Sequence, residues 1–400
     1  MLKKLKVIAF SHFVQGPSGS QYLSDLGADV IKIEPLAGAW ERHRKPPGKI
    51  SGYNATHVAL NRNKRSLAID LKSKEAKDII YALAKNSHAV VENYRVGVLD
   101  RLGFGYEAIK AIKPDIIYVS ATGWGSVGPM HDKPGQDIMA QARSGLIGVT
   151  GPRPTPVGAP VVDQHGGALL ALSVLAGYAR WNETGEGSRI ETNLLTAGLD
   201  LQSEAISIWF AEQASAANVE RQENLATWYN DAPYGVYAIA DGWVVISTGP
   251  NAGKLPEALN CGALQPFAYA DRMVVRDEYA AILANELKSW TWEKLDAALA
   301  PHGVWYQRVT TNYDELLSDP QVIASEVFTD VQLPDGHSMR LVNNALRCDG
   351  ETLPIRRIPF EIGHDTRDIL SEIGFTSSDI EGLVEAGVVA APQMPPQMNG

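Results

Sequence analysis

The first 120 residues alternate short β-branched runs with segments of helical spacing, and this alternation constrains the fold more than any other feature. Strand candidates are Leu5–Phe10, Val30–Glu34, Ser66–Asp70, Ala89–Glu92 and Ile116–Ser120. A glycine-bearing loop and a helix reaching Leu26 follow the first of them, and Lys74–Lys85 and Tyr106–Ile112 carry helical spacing. Strands separated by helices imply an α/β fold with a mostly parallel sheet covered on both faces. Ligands of such sheets settle at the carboxyl ends of the strands. Chemistry is therefore sought in the loops that follow strands.

Beyond the sheet region come a long apolar helix over Gly166–Trp181, a turn at residues 183–187, a strand at Arg189–Thr192 and a helix over Leu194–Ala217. Residues 1–220 read as the first part of a large Rossmann-like domain, and 221–233 as a linker. Residues 234–325 read as a smaller α+β domain opening with a hairpin, Gly235–Ile239 and Trp243–Ser247, turned through Asp241-Gly242. Residues 326–400 return to the large domain. They carry a helix starting near Asp365, another with a capping box Ser378-x-x-Glu381, and a Pro-rich tail over 390–400 predicted to be disordered.

Composition narrows the function. Asp and Glu outnumber Lys and Arg by 46 to 36, a net charge of −10, which argues against a nucleic-acid partner. Two cysteines, Cys261 and Cys348, exclude a disulfide scaffold and a cysteine-rich metal site. The start MLKKLKVIAF is too short in its apolar part for a signal peptide, and no run approaches the ~18 apolar residues of a membrane span. No His, Asp or Glu cluster stands at metal-ligand spacing, so no metal is expected. A cytoplasmic enzyme is the resulting expectation.

Four features carry possible chemistry. Gly16-x-x-Gly19 followed by Glu34 imitates a dinucleotide site, but the full pattern is missing and the loop is too long for its tight turn. From Glu41 to Glu75 nine basic residues face three acidic ones; they form either a solvated face or a landing site for a phosphorylated molecule. Asp163 stands just before the long helix, where a carboxylate serves as N-cap and is held ionised, as a carboxylate nucleophile requires. Gly166 and Gly167 leave room beside it for another group, and the N–H groups of 164–167 are candidate oxyanion donors. His165 is either a second acid–base group or a packed neighbour.

Five motifs in order resemble one family: GADVIKIE (27–34), NRNKRSLAIDLK (61–72), VENYRVGVLDRLGFGYE (91–107), DIMAQARSGL (137–146) and TGEGSRIET (184–192). The chain resembles the family III CoA-transferases, which include the formyl-CoA:oxalate and carnitine CoA-transferases. The resemblance implies Asp163 as nucleophile. It implies coenzyme A contacts at Val14, Gln15, Ile69, Lys72, Asn93, Tyr94, Arg101 and Leu102, with Thr122 and Trp124 in a neighbouring loop. Gln136, Asp137, His165, Gly166 and Gly167 then lie close to the substrate. It also implies an interlocked homodimer, acyl-CoA and a small carboxylic acid as substrates, and no permanently bound cofactor.

Departures from the pattern speak to the substrate. Members acting on oxalate differ at Val14, Pro35, Thr122 and Trp124. The related α-methylacyl-CoA racemases pair the aspartate with a histidine where this chain has Gln136, which cannot act as the second acid–base group. The expectation is therefore transfer of CoA through covalent intermediates on Asp163. The alternatives are a racemase and a non-catalytic CoA-binding protein.

Overall fold

A computed structural model describes residues 1–45, 47–151, 153–212, 219–268 and 270–392. Most of the Pro-rich tail, and residues 213–218 at the end of the helix predicted over Leu194–Ala217, lie outside the described residues. The chain divides into two compact units. The first comprises Met1–Ala140, Ala159–Leu201 and Ile323–Gly400, the second Gln141–Gly158 and Gln202–Val322.

The first unit is built on β1 (Lys6–Phe10), α1 (Gln15–Asp25), β2 (Asp29–Glu34), α2 (Ala55–Asn61), β3 (Arg65–Ile69), α3 (Glu75–Lys85), β4 (Ala89–Glu92), α4 (Tyr106–Ile112) and β5 (Ile117–Thr122). There follow α5 (Asp137–Arg143), α6 (Val161–Thr184), β6 (Ser188–Asn193), α7 (Leu194–Asp200) and, near the C-terminus, β7 (Val389–Ala390). The sheet runs β7-β3-β2-β1-β4-β5-β6. β1 to β6 are parallel, and β7 closes the edge antiparallel to β3. The order 3-2-1-4-5-6 is that of dinucleotide-binding folds, and it reverses between β1 and β4. Phe10 stands level with Ile33 on one side and Glu92 on the other, so the three strands end at one height around that crevice.

Alternation along the strands fills both faces. Ile8, Phe10, Ile33 and Leu67 meet Ile79, Ile80 and Leu83 of α3. Val7, Ala9, Val91 and Val119 meet Leu170 and Val174 of α6 on the other face. Each such buried Val, Leu, Ile or Phe contributes roughly 1.5–3 kcal/mol relative to exposure.

Gly16 and Gly19 do not form a phosphate loop. Both lie inside α1, and a methyl group on Gly19 would stand 2.7 Å from the carbonyl oxygen of Gly167. One on Gly167 would run into Ser18 Oγ. α1 and α6 therefore cross with their backbones in contact, which only glycine permits. The space beside Asp163 foreseen at Gly166 and Gly167 is filled by α1.

The basic run divides between internal and exposed positions. Arg42 holds Glu34 through Nε and Nη2, both at 2.8 Å. Arg62 holds Asp25, and Arg65 holds Asp29 and Glu372. Lys64 is fully buried. Arg44, Lys45, Lys49, Lys72 and Lys74 remain exposed. Two local expectations are also corrected. The long helix starts five residues earlier than predicted, and the capping box of Ser377–Glu385 is built by Thr376 and Asp379 rather than Ser378 and Glu381.

In the second unit Gly235–Ile239, Gly242–Ile246 and Tyr306–Arg308 form a three-stranded antiparallel sheet. Tyr237, Val244 and Ile246 pack on Leu283 and Leu295, and Leu225 and Ala232 from the segment read as a linker join that core.

Candidate active site at the start of the long helix

The early start of α6 changes what Asp163 does. Pro160, not Asp163, occupies the cap position, and Asp163 is the third helical residue. The four first-turn N–H groups all have acceptors. Val161 donates to Ala159 at 2.8 Å and Gln164 to Pro160 at 3.0 Å. Val162 and Asp163 both donate to one carboxylate oxygen of Asp137, at 2.8 and 3.0 Å. The N–H groups of 165–167 bond one turn back within the helix. The expected oxyanion donors at 164–167 are thus already occupied.

Asp137 is the real cap, placed there by α5. Its charge matches the positive helix end and stands beside a second carboxylate. Burial pushes the Asp163 carboxyl up to about 7, and the Asp137 charge adds to the rise. The expectation that the helix terminus holds Asp163 ionised is therefore overturned: Asp137 occupies that terminus, and Asp163 is left half-buried with a high proton affinity.

A donor does face this carboxylate's side of the helix. Gln15, the first residue of α1, is 4% exposed, and its Nε2 has no hydrogen-bond partner. A methyl group on Gly166 would stand 2.7 Å from that nitrogen. Gly166 is three residues after Asp163, on the same helical face. His165 points elsewhere: two residues on is about 200° around the helix, and its Nε2 lies 2.7 Å from Asp200.

Asn93 closes the crevice between β1 and β4. Its amide accepts from the His12 N–H and donates to the His12 carbonyl, each at 2.9 Å. Gly16 is required here, because a methyl group would stand 2.6 Å from Asn93 Oδ1. Above it a cavity of about 410 Å³ is lined by residues including Ser11, His12, Trp40, Tyr94 and Arg95. Tyr94, His12, Phe13 and Trp40 form a chain of ring contacts at 4.7–4.8 Å. Phe13 sits at φ 62°, in the left-handed region, which costs a non-glycine residue roughly 1–2 kcal/mol. Burial and the Lys32 charge pull His12 down to about 4, so it is neutral at pH 7. Burial raises Glu92 to about 7, and this side chain holds the Tyr94 N–H at 2.9 Å.

The other residues singled out by sequence scatter around this crevice. Val14 is the α1 cap, Ile69 ends β3 in the core, and Lys72 lies exposed beyond it. Arg101 is exposed in a short helix, and the Leu102 beside it packs on the sheet core. Thr122 Oγ1 accepts from Gly125 and Trp124 Nε1 donates to Pro134, so both fix the loop before α5. Gln136 is exposed, and its carbonyl starts α5. His12, Trp40 and Arg95, which line the cavity, were not singled out by sequence; His12 and Arg95 stand in loops directly after strands, and Trp40 begins a short helix, Trp40–His43. Among the described residues, no group of three or more His, Cys, Asp or Glu is arranged to hold a metal, and no helix is long and apolar enough to cross a membrane.

Comparison with known proteins agrees with the motif resemblance. A family model described as CoA-transferase family III matches residues 2–366. Human succinyl-CoA:glutarate CoA-transferase is 30% identical over 97% of this chain and 90% of its own length. The succinyl-CoA–D-citramalate CoA-transferase of Chloroflexus aurantiacus is 29% identical over 97% and 98%. The crystal structure of a CAIB/BAIF family protein from Brucella suis superposes with a TM-score of 0.79 at 29% identity, covering 93% of this chain and 99% of that one. A doubly wound sheet with an aspartate in the first turn of its longest helix, carried by a sequence matched along nearly its whole length, places this chain in the family III CoA-transferases.

Proposed function

We propose that this CoA-transferase works through covalent intermediates on Asp163. The observation that carries the proposal is a half-buried carboxylate of raised proton affinity, with an unpartnered Gln15 amide on the same face of α6. A carboxylate with a pKa near the working pH is a stronger nucleophile than an ordinary aspartate, and part of it is ionised at pH 7.

An Asp163 oxygen attacks the thioester carbonyl of the donor. The C–S bond breaks, CoA leaves as thiolate, and a mixed anhydride remains. The thiolate then attacks the aspartyl carbonyl, releasing the donor carboxylate and leaving an enzyme–CoA thioester. An acceptor carboxylate attacks that thioester and expels the thiolate. The thiolate takes the acceptor acyl group from the second anhydride and restores Asp163. Gln15 Nε2–H is the donor to the developing oxyanion, the role first assigned to the α6 backbone.

The nucleotide and pantetheine arm lie over the crevice between β1 and β4, against Val14, Ile69, Lys72, Asn93, Tyr94, Arg101 and Leu102, with Arg95 as an added cation. In this reading the unit of Met1–Ala140, Ala159–Leu201 and Ile323–Gly400 is the CoA-binding domain, and that of Gln141–Gly158 and Gln202–Val322 the smaller one. Relatives named for succinyl-CoA exchange with glutarate, D-citramalate and mesaconate support dicarboxylic acids as substrates. Exposed Leu172, Leu199 and Ile138 support an interlocked homodimer that covers them. Two free cysteines fit a cytoplasmic location.

Incubation with succinyl-CoA, followed by hydroxylamine trapping and peptide mass spectrometry, is expected to mark the peptide containing Asp163. Asp163→Ala should lower transfer by about 10³-fold or more, the scale on which covalent nucleophiles act. Near-native turnover of that variant removes the assignment.

A further inference from the structure

Beneath α1 lies a layer of buried charge with no place in the chemistry above. Lys64 is fully buried, and its ammonium has three acceptors: the carbonyls of Pro17 and Leu60 at 2.8 Å and Asn61 Oδ1 at 3.0 Å. Burial and the nearby Lys32 charge lower its proton affinity. Three acceptors around one nitrogen are nevertheless the surroundings of an ammonium, because a neutral amine has only two N–H groups to offer. Lys32, 1% exposed, donates to the Ser11 carbonyl and to buried Glu41, both at 2.8 Å. Ser11 and Pro17 bracket the segment that carries His12, Phe13 and, at the start of α1, Gln15. Each end of that segment is thus tied to a buried ammonium.

We infer that Lys64, assisted by Lys32, is a positioning residue for transfer: it fixes the first turn of α1 and thereby where the Gln15 amide stands over α6. The opposite end of α1 is anchored separately, by Arg62 and Asn63 on Asp25. Sliding α1 toward its C-terminus breaks the Lys64–Pro17 bond, and sliding it the other way breaks the Asp25 cluster. Ammonium–carbonyl bonds are charge-assisted and directional, and the fully buried Lys64 has no solvent-exposed surface. The inference rests on the role proposed for Gln15.

A double-mutant cycle tests it, with kcat per titrated active site measured for Gln15→Ala, Lys64→Met and the pair. Lys64→Met is expected to lower kcat about 10- to 100-fold, the cost of a misplacement near 1 Å, while the KM for the acyl-CoA changes less than about threefold. If Lys64 acts through Gln15, that loss shrinks below about twofold in the Gln15→Ala background. A full, independent loss in both backgrounds overturns the inference. So does an unchanged kcat with only a lower Tm, the mark of a merely structural lysine. Gln15→Ala without effect would instead remove the Gln15 role, and this inference with it. Should Lys64→Met not fold, Asn61→Ser, which shortens one of the three acceptors, carries the same cycle.

Discussion

Two carboxylates of the first unit, the buried Glu34 and the half-buried Asp163, stand in opposite states. Burial pushes Glu34 upward, but the Arg42 guanidinium, the Lys32 charge and the Ser66 hydroxyl override it and hold the group at about 2. Asp163 has no such partners; burial and the Asp137 charge act in the same direction and bring it to about 7. At Glu34 desolvation is offset by matched charge, and the result is a rivet between β2, the following short helix and the C-terminal segment. At Asp163 the mismatch is left in place, as the proposed nucleophile requires. The contrast separates charge that holds the fold from charge left unmatched.

The largest effect should come from breaking the matched site. Glu34→Gln leaves Arg42 buried against a neutral amide and should cost about 3–5 kcal/mol in denaturant unfolding. A loss below 1 kcal/mol would make Glu34 no better matched than Asp163. The mismatched site should respond with the opposite sign. A carboxyl whose pKa is raised on folding binds more protons folded than unfolded between about pH 4 and 7, so stability falls as pH rises through that window. Asp163→Asn should therefore stabilise the chain by about 1–2 kcal/mol at pH 8, allowing for partial exposure, with the gain fading toward pH 4. Tm measured against pH for both proteins checks it, and a loss at pH 8 would contradict it.

A smaller effect isolates the second cause. Asp137→Asn keeps an oxygen for the Val162 and Asp163 N–H groups but removes the charge. The acid limb of kcat/KM should lie near pH 7 in the parent and move down by about 0.5–1 unit in the variant. An upward move would show that Asp137 helps ionise its neighbour. Least affected should be His165→Gln. The His165–Asp200 pair is largely open to water, and stability should change by no more than about 0.5 kcal/mol, with kcat within a factor of two or three.

Much of this was legible in the sequence. The parallel strands were located within a residue or two, because their runs of Val and Ile admit no other packing. Asp163 was singled out for a partly wrong reason. Its cap, Asp137, comes from 26 residues upstream, and such a partner leaves no local signal. The same blindness turned Arg42, Arg62 and Arg65 into a surface patch. Their partners Glu34, Asp25 and Asp29 precede the run and meet it only once β2 and β3 pair. Gly19 reads from sequence as part of a phosphate loop and Gly167 as open space beside Asp163, because the two helices that meet at them lie far apart along the chain.

Asn93 offers its neighbour both halves of an amide, as an adjoining strand would, and so extends the sheet by one rung beyond the last true ladder position. The two loops over the crevice are consequently stitched together and cannot spread apart independently. In the proposed reading it is the pantetheine arm that must conform to that opening, so its fit is set by the side chains along the rim.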